Sequence, residues 1–173
     1  MGLFINSQRI RFRPGLWADI PAMFSLDARL FPPHSSYDLE VFHSLMLEEA
    51  VSFIVAHAAD ELAGYMILRI GPEREASALT IDVDPAYQNH GIGARLMALS
   101  ERLARLKKMK AMVLQVSSQN HRAMRFYEKL GYTRVRFLRG YYGGEEDGWE
   151  MKKDLVSYTQ PRILEKESTA ALP

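Results

Sequence analysis

Cysteine is absent from the 173 residues, which excludes disulfides, a thiol nucleophile and thiolate metal sites. Charge of one sign is not in excess either. The 22 Lys and Arg against 21 Asp and Glu leave a net charge of +1, so there is no electrostatic case for nucleic acid or an anionic membrane. No apolar run approaches the ~20 residues of a membrane span, and residues 1–6 lack the basic flank and apolar core of a signal peptide. A soluble, cytoplasmic location is the resulting expectation. The five histidines show no metal-ligand spacing, so no metal is expected and neither His34 nor His90 receives a catalytic role.

With 47% hydrophobic and 25% charged residues, the chain is large enough for one well-filled core. A single domain is expected over residues 8–156, followed by a tail, 157–173, of mixed charge and little periodicity. Arg9 to Arg13 alternates as a short strand and stops at Pro14-Gly15. A helix follows, capped by Asp19, with Ile20, Met23, Phe24 and Leu30 at helical spacing. Ser35 to Asp38 has capping-box spacing for a second helix bearing Leu39, Phe42, Leu45 and Met46. Strands over 51–56 and 62–68 flank a turn at 59–61, and a third runs from about Ala76 to Val83.

From Gly91, the positions Ile92, Leu96, Leu99, Leu103 and Leu106 predict one apolar face of a long helix. A buried strand over 111–116 and a helix over 120–130, stopped by Gly131, come next. Strands over 133–139 and 149–153 complete a mixed, mostly antiparallel sheet flanked by helices, an α/β (α+β) fold.

The segment Gln88-Asn89-His90-Gly91-Ile92-Gly93-Ala94 stands between the third strand and the long helix. Such a turn aims backbone N–H groups and the positive helix end at one point, which suits a pyrophosphate. Two nucleotide readings fail on residues: Leu96 stands where a dinucleotide fingerprint needs a third glycine, and Gly-Lys-Ser/Thr of a phosphate loop is missing.

A second segment, Asn120-His121-Arg122-Ala123-Met124-Arg125-Phe126-Tyr127-Glu128-Lys129-Leu130-Gly131-Tyr132, completes a pattern. The first segment resembles the Gln/Arg-x-x-Gly-x-Gly/Ala cofactor motif of the GNAT superfamily of acyl-CoA-dependent N-acetyltransferases. The second resembles that family's Asn-x-x-Ala-x-x-Phe-Tyr-x-x-x-Gly-Phe/Tyr motif. In element order the likeness runs from about Arg9 to Leu155, and in pattern it is nearest to N-terminal protein and ribosomal-protein alanine acetyltransferases.

The resemblance implies acetyl-CoA as co-substrate, no metal, and a central sheet whose strands splay. It implies that Gln88, Asn89, His90, Gly91, Ile92, Gly93 and Ala94 hold the pyrophosphate. The backbone of Ile81, Asp82 and Val83 would line the pantetheine arm and thioester. It gives Asn120, otherwise a plain helix cap, a contact to the pantetheine, and places Tyr127 to protonate the departing thiolate. The chain departs from the alanine acetyltransferase pattern at Gln115, where a Glu base is common. A carboxamide cannot accept the amine's proton; other N-terminal acetyltransferases place His there and pair it through water with a Tyr matching Tyr87, so the resemblance implies a water relay through Tyr87 and Gln115.

For the acceptor, Phe31, Pro32 and Tyr37 resemble the peptide-lining loop of N-terminal acetyltransferases, and Tyr141 and Tyr142 their substrate-binding tyrosine pair. A peptide or protein N-terminus is therefore the expected acceptor. Two alternatives stay open: a small amine such as a polyamine, amino acid or antibiotic, or a non-catalytic acyl-CoA sensor. Monomer and homodimer are equally compatible with the sequence.

Overall fold

Alternation along the central strands is what builds two cores on one sheet. The computed structural model describes residues 3–5, 8–32 and 36–156; the expected tail, His34 and Ser35 lie outside them. Along β4 (Glu61–Ile70) Tyr65 and Ile67 point to one face, while Met66 and Leu68 point to the other, as a period of two requires. The first face packs on α1 (Ile20–Leu30) and α2 (Leu39–Leu47) through Met23, Leu26 and Phe42. The second packs on α3 (Ile92–Leu106) and α4 (His121–Lys129) through Leu96, Met97 and Met124.

The other strands are β1 (Leu3–Ile5), β2 (Gln8–Pro14), β3 (Val51–Ala58), β5 (Glu75–Val83), β6 (Ala111–Ser117), β7 (Thr133–Tyr142) and β8 (Glu146–Asp154). They join β4 in one sheet ordered β1-β2-β3-β4-β5-β6-β8-β7. Every pairing is antiparallel except β5 with β6. That parallel pair is short. Its register covers only Glu75 to Ala78 against Ala111 to Leu114. Beyond it β5 stays on β4 as far as Val83 and β6 stays on β8 as far as Ser117. A bulge where Ile67 and Leu68 face Thr80 and Ala78 leaves Leu79 as the extra residue, and a bulge bends its strand. The expected splay is therefore present, at the C-terminal ends of the two parallel strands.

Four local expectations need correction. Asp19 does not cap α1 with its side chain; its carboxylate instead binds Leu16 N, Arg13 and His57. The start of α2 moves: Asp38 is its N-cap and the helix begins at Leu39. The buried stripe of α3 is Ile92, Leu96, Met97, Ser100, Glu101 and Ala104, with Leu99 and Leu103 half-buried and Leu106 71% exposed. A straight helix at 3.6 residues per turn drifts off a mixed 3- and 4-residue pattern, and Leu106 ends up on the far side. Tyr141 and Tyr142 belong to β7, with Gly143 and Gly144 at positive φ making the turn.

Candidate active site

Where β5 and β6 part, a cleft of about 910 Å³ opens. Phe31, Pro32 and Tyr37 approach it from the segment between α1 and α2, and Tyr141 and Tyr142 from the end of β7. Ile81 and Thr80 of β5, Gln115 of β6, and Asn120 and Tyr127 of α4 form the rest of the wall discussed below. Residues predicted from segments far apart in sequence thus share one cavity. A larger groove of about 1610 Å³ lies between α3 and β2–β3, but Tyr127, Asn120, Gln115 and the aromatic acceptor residues are not among those lining it.

Tyr127 is 8% exposed. Burial, aided by Tyr142 and Asp82, pushes its phenol well above the ordinary range, so it is protonated at neutral pH. Tyr141 and Tyr142 meet edge to face with centroids 5.0 Å apart. Tyr37 donates its hydroxyl to Leu79 O at 3.3 Å, which fixes the ring across the bulge. Asn120 caps α4, its Oδ1 accepting from Ala123 N at 3.0 Å, and it also faces the cleft.

The structure does not bring Tyr87 and Gln115 together. Tyr87 is not among the cleft-lining residues, and its hydroxyl donates to Glu61 at 2.9 Å. Gln115 Nε2 donates to Glu150 Oε2 at 3.2 Å. The two side chains do not bond each other: the turn after β5 carries Tyr87 off the cleft wall and onto Glu61 at the start of β4. Glu150 is itself held below the usual carboxylate range, chiefly by Arg136 at 2.9 Å.

The turn before α3 keeps its polar groups available. Gly91 is the N-cap at φ +84°, and a Cβ there would meet nothing within 4 Å. The first bond of the helix runs from Arg95 N to Gly91 O at 3.0 Å, so the amides of Ile92, Gly93 and Ala94 have no partner within the helix. At Gly93 a Cβ would come within 3.3 Å of Phe126. Gln88 Nε2 donates to Val83 O at 2.9 Å, tying the turn to the end of β5. His90 pairs Nδ1 with Gln88 O at 2.7 Å. Asn89 Oδ1 accepts from Arg122 Nη2 at 3.1 Å, which brings a cation from α4 to the turn that sequence reading did not single out. Just after β5, Asp84 N bonds Ala63 O of β4, so strand alternation turns the amides of Ile81 and Val83 toward the open side. A cradle of free amides beside a splayed strand fits the pyrophosphate and amide-bearing arm of coenzyme A.

Sequence reading gave Asp82 a backbone role only. Its side chain is 1% exposed and points to the α1 face; Oδ1 accepts from the Thr80 hydroxyl at 3.2 Å, and Oδ2 has no partner among the described residues. Burial raises its pKa to about 7, with the Asp27 charge adding to the rise and the neighbouring Tyr65 and Thr80 hydroxyls opposing it. Asp27 is 1% exposed and likewise raised by burial; it accepts from Tyr37 N at 2.8 Å and from the Tyr65 hydroxyl at 3.3 Å. The signal was an acid on an otherwise apolar face: Asp27 falls four residues after Met23 on α1, and Asp82 on the inward set of β5.

Free amides, a splayed parallel pair and a buried phenol facing an open cleft define an acyl-thioester-dependent transferase. The chain belongs to the acetyltransferase (GNAT) family, whose profile matches residues 19–132, and it is accordingly an acetyl-CoA-dependent N-acetyltransferase. It is 31% identical over 141 residues to the N-alpha-acetyltransferase RimI of Mycobacterium tuberculosis, spanning 79% of this chain and 87% of that one. It is 32% identical over 117 residues to the N-terminal acetyltransferase B complex catalytic subunit NAA20 of Arabidopsis thaliana, 65% of this chain and 64% of that one. The ribosomal-protein-S18-alanine N-acetyltransferase of Escherichia coli shares the fold, with a TM-score of 0.76 at 24% identity over 88% of this chain and 97% of that structure. Among the described residues no helix is long and apolar enough to cross a membrane, and no cluster of His, Asp and Glu has metal-binding geometry.

Proposed function

We propose that this enzyme acetylates the α-amino group of a peptide or protein N-terminus. The observation that carries the reading is the convergence of Phe31, Pro32 and Tyr37 with Tyr141 and Tyr142 over the mouth of the splay. An acceptor held there is flanked by apolar rings and by phenols able to hydrogen-bond a peptide backbone. The RimI and NAA20 relatives, named for N-terminal acetylation, support the same reading.

Bound acetyl-CoA supplies an acetyl thioester open to attack by a neutral amine. The amides of Ile92, Gly93 and Ala94 bind the pyrophosphate, and those of Ile81 and Val83 orient the pantetheine arm and acetyl carbonyl. Asn120 adds a side-chain contact to the arm, and Tyr127 Oη donates its proton to the leaving sulfur.

Release of CoA should be measured with peptides bearing free and blocked N-termini and with polyamines, amino acids and aminoglycosides. Turnover confined to free N-termini is expected; turnover of small amines alone overturns the acceptor assignment. Tyr127→Phe should lower kcat about 10²-fold or more with the KM for acetyl-CoA unchanged. A kcat within a few-fold of wild type removes Tyr127 as the acid.

A further inference from the structure

The cleft needs a group to accept the amine's proton, and Tyr87, expected to serve it, is not among the residues lining the cleft. We propose that Thr80 and Asp82 are that group: the hydroxyl of Thr80, a residue of the cleft wall, takes a proton from the acceptor ammonium and passes its own to Asp82 Oδ1. The proposal rests on the reading that this cleft receives the acceptor amine.

Elimination and geometry point the same way. Gln115 has no basic atom, Glu150 is held charged by Arg136, Tyr87 is bound to Glu61 outside the cleft, and Glu146, a half-buried carboxylate on the cleft wall, already accepts from the Ser117 hydroxyl. Each oxygen of Asp27 already accepts a hydrogen bond, from Tyr37 N and from the Tyr65 hydroxyl. Among the described residues Asp82 alone combines a vacant buried oxygen with a hydroxyl link, 3.2 Å long, to a residue lining the cleft. Buried polar atoms are almost always paired, so an unpaired carboxylate oxygen beside a reaction cleft calls for a functional account.

The step balances. An N–H bond of the ammonium breaks, leaving its electron pair on nitrogen as the nucleophile. A new O–H bond forms on Thr80 as its original O–H breaks, and that proton ends on Asp82, to be lost to solvent before the next turnover. The groups bearing on Asp82 are Asp27 on α1, Tyr65 on β4, Thr80 on its own strand, Tyr37 before α2 and Tyr127 on α4; all are acids or hydroxyls, and none is a cation. An α-amine titrates near ~8, so a carboxyl at about 7 accepts its proton at a penalty of about tenfold. An ordinary aspartate near ~3.9 would do so at about 10⁴-fold.

The test compares the full chain with Asp82→Asn, Thr80→Val and Thr80→Ser, measuring kcat/KM for an accepted free-N-terminus peptide from pH 5.5 to 9.5. Wild type should show an acidic limb near pH 7. Asp82→Asn and Thr80→Val should fall about 10²-fold or more at pH 7, with the KM for acetyl-CoA unchanged. Their deficit should shrink at least tenfold by pH 9.5, where the amine deprotonates unaided. Thr80→Ser should stay within a few-fold of wild type. An equal deficit at every pH marks a structural role and overturns the proposal, as does near-wild-type activity of Asp82→Asn. If Asp82→Asn does not fold, the Thr80→Val and Thr80→Ser pair decides on the same criteria. Where only a small amine turns over, the acceptor assignment fails but the same profiles judge the relay with that amine. No turnover of any amine overturns both.

Discussion

Two pairs of acids are buried among the described residues, and they are treated in opposite ways. Asp19 and Glu101 are 5% and 6% exposed, and each is neutralised. Asp19 receives Arg13 at 2.7 and 2.8 Å, His57 at 3.2 Å and Leu16 N at 2.8 Å. Glu101 receives Lys153 at 2.7 and 2.8 Å, Arg105 at 3.3 Å and the Tyr132 hydroxyl at 3.3 Å. Asp27 and Asp82 have only hydroxyl and amide donors. For Asp19, burial pushes the pKa up, but Arg13 and the Leu16 amide outweigh it and the result is low. For Asp82, burial wins. A neutralised acid far from the cleft fixes elements to each other; an unneutralised one under the cleft is a cost the fold carries for chemistry.

The largest effect that tests this contrast is on Glu101, which joins α3 to β8. Glu101→Ala leaves Lys153 and Arg105 without their shared counter-ion, at 24% and 32% side-chain exposure. The expected loss is about 3 kcal/mol in urea unfolding. A loss under about 1 kcal/mol would mean the cations are solvated well enough that the network is no stronger than a surface pair.

Asp82→Asn should act in the other direction, raising stability by about 1–3 kcal/mol at neutral pH by removing an unpaired buried acceptor charge. The pH dependence follows from the raised pKa. Between about pH 4 and 7 the folded state holds a proton on Asp82 that the unfolded state has released, so this residue makes wild-type stability fall as pH rises. The advantage of the variant should therefore be absent near pH 4, grow through that window and level off above 7. Asp19 has the opposite sign: its lowered pKa gives stability present above about pH 4 and lost on acidification. Thermal unfolding of wild type and Asp82→Asn across pH checks this. A constant difference would place the Asp82 pKa near its unfolded value.

These acids also show where a sequence stops being legible. The mixed sheet, the splay and the gathering of Tyr127, Asn120 and the acceptor aromatics were readable, because period-two alternation and two spaced motifs act locally. β1 was not expected, since three residues carry too little pattern to count. The partners of Asp19 were invisible because Arg13 and His57 meet it only when β2 and β3 pair. Asp82 was hidden differently. Its position in the chain was noted for its backbone, but the fate of its side chain depends on which face of β5 meets α1, and that is set by the bulge at Leu79. Tyr87 and Gln115 show the same limit: resemblance paired them, whereas packing gave Glu61 to one and Glu150 to the other.

Glu150 supplies the smallest and most discriminating effect. It is a carboxylate bound to Gln115, which lines the cleft, so by position alone it rivals Asp82 as the proton acceptor. Its charge is held by Arg136, whose side chain is 65% exposed. A carboxylate whose pKa is lowered is a weaker base than a free aspartate, and much weaker than one raised by burial. Glu150→Gln keeps the shape and an acceptor oxygen while removing the charge. It should cost about 0–1 kcal/mol of stability and leave kcat/KM within a few-fold, with the acidic limb of the pH profile in place. If that limb disappears instead and the rate falls about 10²-fold, the neutralised acid is the base, and neutralisation by a neighbouring cation no longer separates structural acids from chemical ones in this fold.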